Sequence, residues 1–248
     1  MEALILAAGQ GSRLKEGRPK CLVEIGGQPL IEHQLSALRF AGVERVTVVV
    51  GHQALRVCHV LPEDTHVVHN PVYAETNSLY SFWRARDHLD GDLVVLNADV
   101  LFHPAIARGV VRWPGNALAY DRFSGQEAEH MKVAIRDGAL DEMSKQLEPS
   151  RTRGENVGLI RLSAQAAEAA FDAAEHLIGA GRVRDWLASA INAAAREHRF
   201  QCLDVAGLPW VEIDYPEDLE HARGTVMPAI GELPEPAMPL VLAPAAAA

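Results

Sequence analysis

Three short runs constrain this chain more than any other feature: ALILA at 3–7, RVTVVVG at 45–51 and DLVVLNAD at 92–99. A strand with one wet face alternates apolar and polar residues. These runs are apolar on both faces and must be covered on both. Helix-period stretches lie between them. PLIEHQLSALRFAG at 29–42 sets Leu30, Ile31, Gln34, Leu35 and Leu38 on one face and stops at Gly42. A short helix at 52–61, a strand at 66–70 and a helix at 76–89 follow. This alternation predicts a Rossmann-like, three-layer α/β/α domain around a mixed, mainly parallel sheet.

After about residue 115 the pattern changes. NALAYD (116–121), HMKVAIRDG (130–138) and ALDEMSKQL (139–147) predict a small antiparallel insert turning at Asp137-Gly138. ENVGLIRL (155–162) reads as a strand, and alanine-rich helices are expected at 163–179 and 182–197. A strand at 200–205, WVEID at 210–214 and a helix from Pro216 close one domain over residues 1–226. Residues 227–248 are rich in proline and alanine and are expected to be a disordered tail.

Charge and cysteine usage narrow the partners. A net charge of -10 argues against nucleic acid or an anionic membrane surface, both of which need a basic face. A small phosphorylated ligand needs only a local patch, and Arg13, Lys15, Arg18 and Lys20 supply one. Cys21, Cys58 and Cys202 are far apart, with no CxxC pair, which predicts neither zinc nor disulfides and a reduced, cytoplasmic setting. Met1 runs straight into a strand, so no signal peptide is expected. The apolar runs fall short of the roughly 18 residues a spanning helix needs, so no membrane insertion is expected.

The basic patch belongs to LAAGQGSRLKEGRPK, residues 6–20. A dinucleotide-binding GxGxxG would need its third glycine at Leu14. A P-loop would need Lys after Gly11, where Ser12-Arg13 stands. What remains is a phosphate loop of another kind. Gly9 and Gly11 let backbone amides face an anion, Arg13 offers a bidentate fork, and Lys20 a point charge.

The string G-x-G-x-R-L…P-K resembles the signature of nucleotidyltransferases that join a nucleoside triphosphate to a phosphorylated small molecule. Its loop between Arg13 and Pro19 is shorter than in many members, as in the cytidylyltransferases of isoprenoid synthesis. NPVYAETNSLYSFWRAR at 70–86 is closest to the phosphocholine cytidylyltransferase branch and its relatives acting on other phosphorylated amines or phosphonates. The resemblance runs to about residue 223 and implies an enzyme that releases pyrophosphate. It implies CTP as donor, with a sugar-1-phosphate nucleotidyltransferase using UTP, GTP or dTTP as the alternative. A non-catalytic nucleotide-binding regulatory subunit is the alternative of another class.

The resemblance also assigns residues. Leu6, Ala7, Ala8, Gly9, Gly11, Ser12, Arg13 and Lys20 would hold the nucleotide, with Arg13 and Lys20 catalytic. Thr76, Asn77 and Ser78 would face the nucleoside, although Thr76 or Asn77 can equally cap a helix. Asp99, at the carboxyl end of a parallel strand, would bind Mg²⁺ and touch the nucleotide. Asp214 would be the second ligand, although Asp-Tyr-Pro-Glu-Asp is also a good helix start. Glu212 shares its strand face. Lys132, Glu155, Asn156 and Tyr80 are the acceptor-side candidates. A quaternary amine would need an aromatic cage, which only convergence of Tyr80, Trp83, Tyr120, Trp186 and Trp210 could build. The expected assembly is a monomer or homodimer.

Overall fold

The computed structural model describes residues 1–232 and 240–243. In chain order its first half runs β1 (Glu2–Ala7), β2 (Glu24–Ile25), β3 (Gln28–Pro29), α1 (Leu30–Ala41), β4 (Arg45–Val50), α2 (Ala54–Val60), β5 (His66–His69), α3 (Ser78–Arg84) and β6 (Leu93–Asn97). Next come β7 (Val100–Phe102), α4 (Pro104–Arg112), β8 (Asn116–Asp121), β9 (Lys132–Arg136), β10 (Ala139–Ser144) and β11 (Gly154–Leu162). The chain continues through α5 (Ala164–Gly179), α6 (Ala188–Ala194), β12 (Phe200–Asp204), β13 (Trp210–Glu212), α7 (Pro216–His221), α8 (Met227–Glu232) and β14 (Val241–Leu242).

The three apolar runs and the strand β5 pair side by side and in parallel, in the order β5-β4-β1-β6. Beyond β6 the sheet turns antiparallel at β11, which also pairs β8. The β9–β10 hairpin links β11 to β12, and β12 runs parallel to β8. The Asp137-Gly138 turn has φ of 51° and 76°, as a tight hairpin turn requires.

The period of two in β1 sorts its side chains between the two covering layers. Ala3, Ile5 and Ala7 join the cluster of Ile31, Leu35 and Leu38 from α1. Leu4 joins the opposite cluster of Leu79 and Phe82, where Phe82 stacks on Phe171 with ring centroids 4.2 Å apart. This is the three-layer arrangement the sequence predicts. No helix among the described residues is long and apolar enough to cross a membrane.

Two expectations fail. The helix expected at 182–197 begins only at Ala188. The segment before it is spent on α3: Val183 O accepts from Asn77 N at 3.1 Å, Asp185 O from Leu79 N at 3.3 Å, and Leu187 N donates to Ser78 Oγ at 2.9 Å. Those contacts satisfy amides that a helix start leaves open, and they hold 183–187 out of helix. The tail expected from 227 is structured where it is described. α8 continues α7 through a π-helical turn at Ala222–Val226, with Val226 buried against Leu14 and Ile213. β14 pairs β12, and Leu240 lies against Gly109, where a Cβ would stand 2.6 Å from it. The rest of that expectation, at 233–239 and 244–248, lies outside the described residues.

Candidate active site at the carboxyl ends of β1 and β6

The chain leaves β1 through the glycine loop. Gly11 sits at φ 60°, ψ 30°, a left-handed conformation that costs other L-residues about 1–2 kcal/mol. A Cβ there would also come within 2.8 Å of Lys20 Cγ, so the glycine both makes the turn and leaves room for the lysine stem. The amides of Gly9, Gln10 and Gly11 donate to no protein acceptor among the described residues. They form a rim of free N–H groups at the end of the central strand, suited to an anion.

The carboxylates are brought together by strand register. β13 pairs antiparallel with β7, and Asp99 O accepts from Ile213 N at 2.8 Å, so Asp99 and Asp214 lie side by side. Gln34, the polar residue in the apolar stripe of α1, donates to Asn97 O at 2.9 Å and Val100 O at 2.8 Å and so braces the turn carrying Asp99. Asp218 Oδ2 accepts from Asp214 N and Tyr215 N at 2.9 and 2.8 Å. The helix start is therefore capped by Asp218, and the Asp214 side chain is free for other work.

Asp99, Glu212 and Asp214 each offer an oxygen, and these oxygens all lie within 4.8 Å of one another. Such a trio of hard oxygen ligands suits a small divalent cation. Lys20 occupies the same spot: its Nζ donates to Asp99 Oδ2 at 2.9 Å and to Asp214 Oδ1. Burial works against that ammonium, but the two aspartates outweigh it and hold its pKa above the ordinary lysine value. Burial would raise Asp214, and Lys20 and Arg13 reverse this and hold it below the usual range. Burial, then Asp99 and Asp214, push Glu212 up. The trio thus fits a bound cation, and its need for positive charge is visible in what Lys20 does.

Arg13 reaches across the loop. Its Nη2 donates to Asp214 Oδ2 at 2.5 Å, and its Nη1 to Glu129 Oε2 at 2.9 Å and Tyr215 Oη at 3.1 Å. Glu129 also pairs with Lys145 at 3.6 Å, and Lys145 lies over the Trp186 ring at 4.5 Å.

Arg13, Lys20, Asp99, Glu212, Asp214, Lys145 and Trp186 line a cleft of about 310 Å³. Every nucleotide-side residue expected from the sequence lines it: Leu6, Ala7, Ala8, Gly9, Gly11, Ser12, Arg13, Lys20, Thr76, Asn77, Ser78, Asp99 and, with them, Asp214. Asn77 also caps α3, its Oδ1 accepting from Ser78 N at 2.8 Å, so capping and lining coexist. The acceptor side fares differently. Glu155 and Asn156 lie in two smaller pockets that adjoin the cleft at Glu212. Lys132 lines none of these pockets: it is buried, and its Nζ donates to Lys145 O at 2.6 Å. Tyr80 turns away and packs on Trp83 at 5.3 Å. The aromatics build no cage. Tyr120 is buried in the core, Trp210 donates to Asp121 Oδ2 at 2.9 Å, and Trp186 alone of the five lines the cleft.

A family model described as the MobA-like NTP transferase domain matches residues 3–197. The chain belongs to the MobA-like NTP transferase family. Among curated proteins it is 32% identical over 241 residues to CMP-5'-(3-aminopropyl)phosphonate synthase of Streptomyces rubellomurinus, covering 90% of this chain and 38% of that one. It is 33% identical over 235 residues to a bifunctional IPC transferase and DIPP synthase of Rubrobacter xylanophilus, covering 91% and 52%. The chain therefore spans about half or less of these relatives' length. Among solved structures, the CTP:phosphocholine cytidylyltransferase of Streptococcus pneumoniae superposes with a TM-score of 0.76 at 21% identity, covering 90% of this chain and 97% of that one. That likeness shows the shared Rossmann-like α/β fold.

Sequence reasoning missed part of this MobA-like cleft. Asn97, Tyr73 and Lys145 line it with no motif to mark them. Lys145 reads as one more solvated strand-end lysine until its partner Trp186 is seen beneath it.

Glu155 is a buried carboxyl beside a histidine. It is 3% exposed, accepts from Ser124 Oγ, and lies 3.1 Å from His130 Nδ1, itself an acceptor from Gly125 N at 3.1 Å. Burial pushes the Glu155 carboxyl up to about 7 and His130 down, so a protonated Glu155 facing a neutral ring fits the geometry. The pKa is raised on folding. Between pH 4.5 and 7 the folded state keeps a proton the unfolded chain has lost, and stability falls as pH rises through that window. Unfolding measured from pH 4.5 to 8 is expected to show wild type losing about 3 kcal/mol relative to Glu155→Gln. A constant difference across that range would mean that folding does not raise the Glu155 pKa.

Proposed function

We propose that this chain is a Mg²⁺-dependent cytidylyltransferase that joins CMP from CTP to a phosphorylated amine or aminophosphonate and releases pyrophosphate. The observation that carries this reading is the convergence of the free-amide loop, Arg13, Lys20 and the Asp99–Glu212–Asp214 trio in one cleft at the end of the parallel strands. A non-catalytic nucleotide binder needs no such trio. Cytidine as base and an amine-bearing acceptor are supported by the names of the relatives.

A phosphate monoester is mostly dianionic at pH 7, so the acceptor oxygen is already a nucleophile and needs no general base. The protein's work is alignment and charge. The amides of Gly9 to Gly11 and the Arg13 fork hold the β- and γ-phosphates. Thr76, Asn77 and Ser78 border the nucleoside. Asp99 and Asp214 would hold the metal, with Glu212 beside them. When bound, Mg²⁺ neutralises charge at the α-phosphate and orients the acceptor. Lys20, whose Nζ lies between Asp99 and Asp214, would supply its charge to the α-phosphate. The acceptor oxygen then attacks the α-phosphorus in line, and pyrophosphate leaves. Lys145, at the border of the cleft and its neighbouring pocket, takes the acceptor phosphorus group in place of Lys132. The reduced cysteines fit a cytoplasmic setting.

The test is ³¹P NMR of the chain with CTP, Mg²⁺ and 2-aminoethylphosphonate. The expected result is pyrophosphate and a new phosphorus anhydride in equal amounts, with neither in the presence of EDTA. CTP left intact with every amine-bearing acceptor would overturn the reading.

A further inference from the structure

Beside the main cleft, behind Lys145 and Trp186, lies a pocket of about 60 Å³. Met131, Met143, Ile160 and Leu187 form its apolar side, and Ser78, Asn97, Glu129 and Lys145 its polar side. Asn156 stands among these side chains. It is 9% exposed, and its Oδ1 is buried without a hydrogen-bond partner among the described residues. A buried amide oxygen left unpaired costs about 1–3 kcal/mol and calls for a donor the protein does not supply.

We infer that this pocket takes the organic tail of the acceptor, and that it fits a short unbranched chain ending in a primary amine whose N–H groups donate to Asn156. The assignment rests on the nucleotidyl-transfer reading, which puts the acceptor's phosphorus group at Lys145 and the aspartates. Lys145 lines both the cleft and the pocket, so a molecule anchored there extends its far end toward Asn156. Size sets the class. About 10–15 Å³ of such space takes one water-sized group, so the pocket takes about four to six. An aminoethyl or aminopropyl tail fits that space. A pyranose with its hydroxyls exceeds it. A trimethylammonium head has no N–H for Asn156, and the aromatic rings form no cage for it. Glu129 also lines the pocket, and its carboxylate favours an ammonium over a hydroxyl.

Calorimetric titration of the chain, loaded with Mg²⁺ and a CTP analogue blocked at the α,β-bridge, tests this. The probes are 2-aminoethylphosphonate, 3-aminopropylphosphonate, phosphocholine and glucose 1-phosphate. The expected result is that both aminophosphonates bind at least about tenfold tighter than the other two. Asn156→Leu should erase that preference while the nucleotide analogue still binds. Asn156→Asp, which keeps the acceptor oxygen and adds charge, should retain or sharpen it, and it decides the matter if the leucine variant fails to fold. Equal or tighter binding of phosphocholine or glucose 1-phosphate, no binding of any probe, an unchanged preference in Asn156→Leu, or a preference lost in Asn156→Asp would overturn the assignment. Tight aminophosphonate binding with no pyrophosphate release from CTP would instead overturn the transfer reading and leave the pocket's assignment standing.

Discussion

Asp99→Asn is expected to lower Mg²⁺-dependent turnover by about 10³-fold, the several kcal/mol of transition-state charge stabilisation that a bound metal supplies. The fold should survive. Asp99 is a partly exposed side chain after β6, and Lys20 keeps its second partner in Asp214. The turn itself is held by backbone contacts, from Ile213 N to Asp99 O and from Gln34 to Asn97 O, which the substitution leaves in place. The loss should therefore appear in kcat and in the Mg²⁺ concentration needed for half-maximal rate, with Tm little changed. Full turnover by Asp99→Asn at unchanged Mg²⁺ would remove Asp99 from the metal site.

Lys20→Ala is expected to act twice. With substrates present, the loss of one preorganised charge at the α-phosphate should cost about 10²–10³-fold in kcat. Without them, Asp99, Glu212 and Asp214 are left crowded together with Arg13 as the remaining cation in contact with Asp214. Leaving such groups uncompensated costs about 1–3 kcal/mol, or several degrees of Tm in a chain of this size. Added Mg²⁺ should then stabilise Lys20→Ala more than it stabilises wild type, because in wild type the ion must first displace the lysine. Thermal unfolding of both proteins across a Mg²⁺ series reads this directly. Equal Mg²⁺ shifts in the two proteins would mean that lysine and metal do not share the site.

The two halves of the site differ in how far they are legible in the sequence. The nucleotide side is local. A glycine loop after the first strand and an aspartate after a parallel strand are set by positions close in the chain, and the sheet brings every one of those residues to the same cleft. Asp214 was legible by type, yet its partnership with Asp99 depends on the β7–β13 register, and neither β7 nor α4 is announced by the pattern around residues 100–112. The acceptor side is made by long-range packing. The sequence favours Lys132 for the acceptor and reads Lys145 as solvated, yet the β9–β10 pairing buries Lys132 against the Lys145 carbonyl while Lys145 faces the cleft. The segment at 183–187 has helix-like composition but is drawn into a loop by the open amides of α3. Gln34 was visible as a polar residue in an apolar stripe, though its job, bracing the Asp99 turn, appears only in three dimensions.

The most direct test of the account is pyrophosphate release with Mg²⁺ over a grid of CTP, UTP, GTP, ATP and dTTP against 2-aminoethylphosphonate, phosphoethanolamine, phosphocholine, inositol phosphate and several sugar 1-phosphates. The account predicts release with CTP and an acceptor bearing a primary amine. Release with UTP, GTP or dTTP and a sugar 1-phosphate, or no release anywhere on the grid while nucleotide still binds, would contradict it.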